Sequence, residues 1–598
     1  MGAVAALALT ACEGTLVGGL STGSTTSPVT PGTVPVEGPT SPPTPPGPRG
    51  ETPSPFTCVP QPAPELPLRR LSRDEYRNAV EDFVRAALPM AATSVVSAVQ
   101  PTLEQVPTDA RVAAPGDTHG GFTRLDQTVQ QPAVDASWAT AVAVANQLTR
   151  PAARLGQLLG ACATDADASN DAACLRALVN RLAPLAHRAP LRPGEADFYV
   201  QTAGATPVAP DAVADVLTLM LGSPGFLYHL ESGTGPGPDG TVTLDAFELA
   251  SRLSFHFWQR PPDDELRARA ADGSLSSEAV YRQQVDRLVR DSRAAPVRRQ
   301  FFDQWFRLDE LGSLTSRLGT PQYDAFAGAD RPTPALRGAM FDEVLAAAEG
   351  AVAEGLSLDA MLLDARHFST SAELSRLYGV TPWDGRSPLP GAPPHRSGLF
   401  TRAAFLANDS ATTRPVMKGL RLRSAFLCDT MPPPPGNLMV TTPELSPTAT
   451  TRDVVANLTE QPQSSCRGCH VLLNPLGYAS ENFDALGRHR QTQRLFDEQG
   501  RATGAPPVRT DAVTRVDIDD DTSLDDIAAV TRRMAESKRV DSCFARHAFR
   551  FAFRRPEHLA LDGCSLARLD EAARRGTLLD AFAAVAHLPA FKTRRLSP

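Results

Sequence analysis

The stretch SSCRGCHVLLNPLG, residues 464–477, sets two cysteines three residues apart with a histidine directly after the second. Cys466, Cys469 and His470 in that order form the attachment pattern of c-type haem, in which two thiols bond to the porphyrin vinyl groups and the histidine ligates iron. Two other chemistries compete for the same residues. Cys466 and Cys469 could close a redox disulfide, which would need a thioredoxin-like strand–helix–strand setting that the flanks do not supply. They could also join His470 on zinc, where a fourth ligand is required and Cys428 is the nearest cysteine in sequence. A second axial iron ligand is not evident: Met534 and His547 read as core residues on helical faces, and His489 reads as a surface residue.

Haem of this type is attached after export, and the start of the chain fits export. The run MGAVAALALTACEG ends in Leu9-Thr10-Ala11-Cys12, similar to a bacterial lipobox in which residues 1–12 form the leader and Cys12 carries the lipid. The basic residues that usually precede such a run are missing, so a true start upstream of Met1 is expected. The run is too short to span a bilayer as a mature helix, which takes about 20 apolar residues. Residues 13–67 are dominated by Ser, Thr, Pro, Gly and Val and predict a disordered tether, because such a composition buries too little surface to fold. No later segment approaches membrane-spanning length, so an aqueous body is expected.

The cysteines agree with an oxidising compartment. Nine in all, less Cys12, Cys466 and Cys469, leave Cys58, Cys162, Cys174, Cys428, Cys543 and Cys564, an even set suited to disulfides. Cys162 with Cys174 and Cys543 with Cys564 are the expected pairs, because each closes a short loop, and Cys58 with Cys428 follows by elimination.

Composition removes several function classes. A formal net charge of -8 argues against a phosphate-binding surface, so no nucleic-acid partner is expected. Only three basic residues are lysine, Lys418, Lys538 and Lys592, and with abundant alanine this reads as base composition. From Leu68 onward there is no G-x-S-x-G elbow, no H-E-x-x-H and no P-loop. Gly235-Pro-Gly-Pro-Asp-Gly240 matches a dinucleotide fingerprint formally, but no strand precedes it and its prolines remove two amide donors, so no nucleotide is expected. Asp517, Asp519 and Asp521 invite a calcium loop that fails at Thr522 and Ala528; they read instead as capping a helix that begins near Leu524.

The elements around the motif should be helical. Ser72 and Glu75 form a capping box, Leu71 and Tyr76 a hydrophobic staple, and Tyr76, Val80, Phe83 and Val84 repeat at helical spacing. Asp263, Asp264 and Glu265 open a helix after Pro261-Pro262, where acids complement the macrodipole. No span shows sustained strand alternation, so the fold class is mainly α: several consecutive helical domains behind the tether. Boundaries are expected at 68–150 for an N-terminal helical domain, 151–232 for a helical domain with Cys162 and Cys174, and 241–385 for a central helical domain. A CxxCH domain at 390–505 and a C-terminal helical domain at 515–598 follow.

Several stretches together resemble a family of large secreted multi-domain proteins of unknown function that accompany planctomycete-type cytochrome c modules and also occur in myxobacteria. They are RRLSRDEYRNAV, SPGFLYHLE, LASRLSFHFWQRPPDDEL, SAELSRLYG, RSGLFTRAAFLA, FLCDTMPPPPGN, CRGCHVLLNPLGYASENFDALGRHR and CFARHAFRFAFRRPE, in the family's order and covering nearly everything from Leu68 onward. The resemblance implies a helical exported protein in which Cys466, Cys469 and His470 hold haem. It also implies that Asn474, Pro475, Gly477, Glu481, Phe483, Asp484, Gly487 and Arg490 shape that segment. Physically, Pro475 and Gly477 would turn the chain and Arg490 could reach a haem propionate. The chain departs from the pattern at Asn474, where Asp is typical, at His489, where Tyr is typical, and at Arg554, where Gly is usual.

The sequence therefore points to an exported, membrane-tethered haem c protein in electron transfer or small-molecule redox chemistry. A lipid anchor in the outer membrane or at the cell surface, a periplasmic or extracellular body and a redox partner protein are expected. The alternative is a non-catalytic surface lipoprotein, a binding or scaffold module whose cysteines are disulfide-bonded and which carries no haem.

Overall fold

The structure, a computed structural model, describes residues 52–61, 65, 68–113, 121–235, 237, 240–386, 389–432 and 447–595. Cys12, the leader and most of the stretch read as a tether lie outside the described residues, as does part of the Gly235–Gly240 run. Among the described residues there are 25 α-helices and eight strands of two or three residues each, so the fold is mainly α. Among the described residues no helix is long and apolar enough to cross a membrane.

The first helix, Arg73–Ala87, begins where the sequence says. Ser72 Oγ accepts from the Glu75 amide, the Glu75 carboxylate accepts from the Ser72 amide, and Tyr76, Val80, Phe83 and Val84 are buried. Asp263 likewise caps the helix Asp264–Ala271 and also binds Arg287 and Arg293. The apolar faces of these helices collect into two large cores. One gathers residues from Leu71 to Phe226 together with Phe255, and the other runs from Phe122 to Phe591. The second core therefore joins helices of the central stretch, of 399–427 and of 527–591 in one packed interior.

The strands act as ties. Arg69–Arg70 pairs antiparallel with Tyr228–His229, and Thr241–Thr243 pairs antiparallel with Thr593–Arg595. Between the cores lies a buried ionic cluster. Glu231 accepts from Arg69 Nη2 at 2.7 Å and from Arg252 Nη2 at 2.6 Å, and Glu75 accepts from both terminal nitrogens of Arg554. His229 sits 3.4 Å from Glu75, and burial, with Arg554 nearby, pushes it down to about 3, so it is neutral. Charges this deep are tolerated only when paired, because their desolvation otherwise exceeds any local gain.

Six cysteines form three disulfides, and Cys162–Cys174 is the expected one. The other two pairs differ from expectation: Cys58 bonds Cys564 across 506 residues, and Cys428 bonds Cys543 across 115. Short separation is a poor guide once both cysteines lie on packed helices whose side chains face different ways. Cys543 points into the core from the helix Arg539–Phe553. Cys564, at the start of the helix Gly563–Arg575, meets the 52–61 segment, whose Thr52 is also bound by Ser537, Asp517 and Arg574.

The aspartate run is also placed differently. The helix it was expected to cap is Ile527–Ser537, and its cap is Asp526. Leu524 lies in a short strand, while Asp517 and Asp520 bind Arg533. Ion pairing to a side chain of the following helix outweighs capping at a distance.

Candidate haem-attachment helix

Cys466 caps the helix Arg467–Tyr478, with its carbonyl accepting from the amides of Cys469 and His470. Residues at i, i+3 and i+4 share a helix face, so a single turn presents both thiols and the imidazole together. Cys466 is buried, while Cys469 and His470 are half-buried. Neither thiol is in a disulfide.

The helix is held by an antiparallel neighbour, Pro415–Arg421, that crosses it at backbone contact. A Cβ on Gly419 would collide with the carbonyl oxygen of Leu473, and one on Gly477 with that of Pro415. Gly477 therefore serves close approach. The expected turn at Pro475 and Gly477 is not there: the helix continues through both to Tyr478, because the amide that Pro475 lacks is a local loss that the packed crossing tolerates. Lys418 Nζ donates to Ser480 Oγ at 3.2 Å, and burial lowers the lysine to about 8.

Beyond Arg421 the chain winds as a π-helix, Leu422–Phe426. The buried Arg423 spans three elements from it: Nε donates to Leu472 O of the motif helix at 3.0 Å, Nη1 to Asp429 at 2.7 Å, and Nη2 to Thr514 O and Arg515 O. Ala425 O accepts from Trp305 Nε1 at 2.8 Å and from His547 Nε2 at 3.0 Å. The π turn thus links the motif helix on one side to the disulfide-bearing helix on the other.

Behind His470 lies a polar chain that sequence reasoning missed. His470 Nδ1 is 3.0 Å from Oδ1 of Asn474, which is fully buried. Asn474 Nδ2 donates to Thr459 Oγ1 at 2.9 Å and to Glu460 Oε1 at 2.6 Å, and Tyr478 OH donates to the same Glu460 oxygen at 2.7 Å. Burial and that carboxylate hold the Tyr478 hydroxyl well above its ordinary range, so it stays protonated. The available signal was the spacing His470, Asn474, Tyr478, one face of a helix at four-residue steps.

The other nominated residues fall elsewhere. Met534 is fully buried in the large core. His547 is buried beside the Cys428–Cys543 disulfide, 3.6 Å from Cys428 Sγ, and burial holds it neutral. His489 is exposed and stacks on His395 at 4.0 Å between ring centres. Arg490 does not reach out for a propionate: its guanidinium donates to the Glu481 carboxylate and carbonyl, both at 2.9 Å.

These positions test the candidate ions and cofactors. Zinc does not fit the motif, since its ligand atoms lie about 2.0–2.3 Å from the metal and so within about 4 Å of each other. Among the described residues the group of three metal-capable side chains whose ligand atoms lie within 4.8 Å of one another is Cys428, Cys543 and His547, and its sulfurs are joined to each other. That bond also removes Cys428 as the fourth zinc ligand. The motif helix offers the donor types of a c-type haem site, two thiols outside the disulfides on one helix turn and an imidazole whose Nδ1 is hydrogen-bonded. A cleft of about 380 Å³ lined by Asn180, Pro184, Arg188, Leu191, Phe247 and Arg267, among others, includes no residue of the motif.

Two family models match parts of this chain. PSD4, a protein of unknown function (DUF1592), matches residues 244–380, and PSCyt3, a protein of unknown function (DUF1588), matches residues 396–493. The PSCyt3 segment contains the whole motif helix, its crossing partner, the π segment and the Glu481–Arg490 pair. These matches support the association with the planctomycete cytochrome-linked family. No curated protein and no solved structure matches the chain.

Proposed function

We propose that the chain is an exported, lipid-anchored c-type haem protein in electron transfer or small-molecule redox chemistry, with Cys466 and Cys469 as thioether sites and His470 as proximal ligand. The observation that carries this reading is the division of the cysteines: Cys58, Cys162, Cys174, Cys428, Cys543 and Cys564 are joined in pairs, whereas the CxxC pair, presented on one helical turn, is not. In a protein built for an oxidising compartment, two neighbouring thiols left out of the disulfide set need another use. The PSCyt3 match over the same segment points the same way.

Bound haem would supply a one-electron iron couple whose potential depends on its axial ligands and its burial. The protein residues have separate tasks. Cys466, buried at the helix cap, would keep one porphyrin edge against the body, and Cys469 would fix the other attachment point almost one full turn further along the same face. His470 would offer Nε2. Gly419, Gly477 and Arg423 keep the helix from shifting against its neighbours.

The test is expression with c-type maturation machinery in an exporting host, followed by a pyridine haemochrome assay beside Cys466→Ala/Cys469→Ala. Covalent haem lost in the double variant is the expected result. A correctly exported wild type with no haem and a Cys466–Cys469 disulfide would transfer the protein to the binding or scaffold class.

A further inference from the structure

The polar chain behind His470 determines which nitrogen of the imidazole carries the proton. Thr459 Oγ1 donates its own hydrogen to Val455 O at 2.7 Å, so toward Asn474 it can only accept. Glu460 Oε1 also accepts, from Tyr478 OH as well as from Asn474. Two acceptors on one side compel the Asn474 amide to point its NH2 that way, and its Oδ1 then faces His470. An amide oxygen cannot donate, so the 3.0 Å contact exists only if His470 Nδ1 bears the hydrogen. In the neutral ring this leaves the lone pair on Nε2.

We infer that Asn474, oriented by Thr459 and Glu460, is the positioning residue that locks His470 in the Nδ1–H tautomer and so selects Nε2 as its metal-binding atom. The tautomer assignment stands on hydrogen bonding within this chain; its use for iron rests on the haem reading above. The arrangement also explains how an asparagine serves where the resembling family usually has aspartate. With Glu460 2.6 Å from the Asn474 side chain, a second carboxylate there would face a like charge. The amide spares that conflict and leaves the imidazole a neutral hydrogen-bond acceptor behind it, whereas a carboxylate in the same place would strengthen its donation to a metal.

The experiment uses the full chain labelled with ¹⁵N-histidine and prepared without haem, with solid-state ¹⁵N spectra assigned by difference from His470→Ala. The wild type is expected to show His470 with a protonated Nδ1 and a bare Nε2. Asn474→Leu, which keeps the volume and removes the acceptor, is expected to lose that preference. Asn474→Asp/Glu460→Gln exchanges the two functions and is expected to restore it, because the new amide can donate to the new carboxylate while that carboxylate accepts from His470. Disulfide content and circular dichroism identify any variant that has not folded. An Nε2–H tautomer in the wild type, or an unchanged tautomer in folded Asn474→Leu, overturns the inference.

On haem-loaded protein the exchanged variant is expected to have a lower midpoint potential than the wild type, since a charged acceptor stabilises the oxidised metal. An equal or higher potential would overturn the tuning role while leaving the tautomer result standing. A negative haemochrome with the expected tautomers would count against the haem reading alone.

Discussion

Asp541 offers a quantitative test of the packing around the disulfide-bearing helix. It lies in the first turn of Arg539–Phe553, is 1% exposed, and has no hydrogen-bond partner for either carboxylate oxygen among the described residues. Burial first, and the nearby Asp359 second, raise it from an ordinary 3.8 to about 7, although Lys538 and Arg574 work in the opposite direction. The folded state therefore prefers the protonated acid and the unfolded state ionises it, so this group's contribution is complete below about pH 4 and fades until about pH 7. Relative to a neutral side chain, the cost comes to about 1.5 kcal/mol at pH 5 and about 4 kcal/mol at pH 8. Asp541→Asn removes the ionisation and with it the repulsion from Asp359. Urea unfolding of wild type and variant, disulfides intact, should show the variant gaining about 2.5 kcal/mol more at pH 8 than at pH 5. A gain that is the same at both pH values would refute the reasoning, and a loss at both would show that the carboxylate has a partner the structure does not reveal.

Other expectations follow from single contacts. Peptide mapping without reduction should recover Cys58–Cys564 and Cys428–Cys543 as linked pairs; a Cys543–Cys564 peptide would contradict the fold around both helices. Gly477→Ala should force the motif helix off its neighbour at about 1–3 kcal/mol, seen as a lower urea midpoint and poorer haem attachment, whereas Gly468→Ala, with open space around it, should do neither. Arg554→Ala should strand Glu75 in the interior at about 3–5 kcal/mol, and Glu75→Gln/Arg554→Met should recover much of that loss in the same urea assay.

What could be read in advance was whatever depends on neighbours in sequence. Ser72 and Glu75 name a helix start because both halves of the box lie within four residues, and Asp263 does the same for the next unit. Cys162 and Cys174 pair as expected because the loop between them is polar and short. The failures share one cause, a partner supplied by the way the chain folds back and not by the next turn of the same element. Cys564 meets Cys58 rather than Cys543, Arg490 meets Glu481, and the tight Gly477 contact is with Pro415, so its glycine signals close approach where a turn was expected. Asn474 was visible as a departure from a pattern, but its meaning depends on Thr459 and Glu460, which arrive from a separate helix. The motif itself was legible in five residues; the apparatus that orients its histidine was not.

The bond between Cys58 and Cys564 has a topological consequence. It closes more than five hundred residues into a covalent ring from which two strands of chain depart, one toward the N-terminus and one, the last helices, toward residue 595. A single backbone cut anywhere between the two cysteines opens the ring without splitting the molecule. A protease working on an exposed loop of the body would thus leave both pieces attached to whatever holds the N-terminal strand, and detachment would require either a cut ahead of Cys58 or reduction of the bond together with a break in the ring.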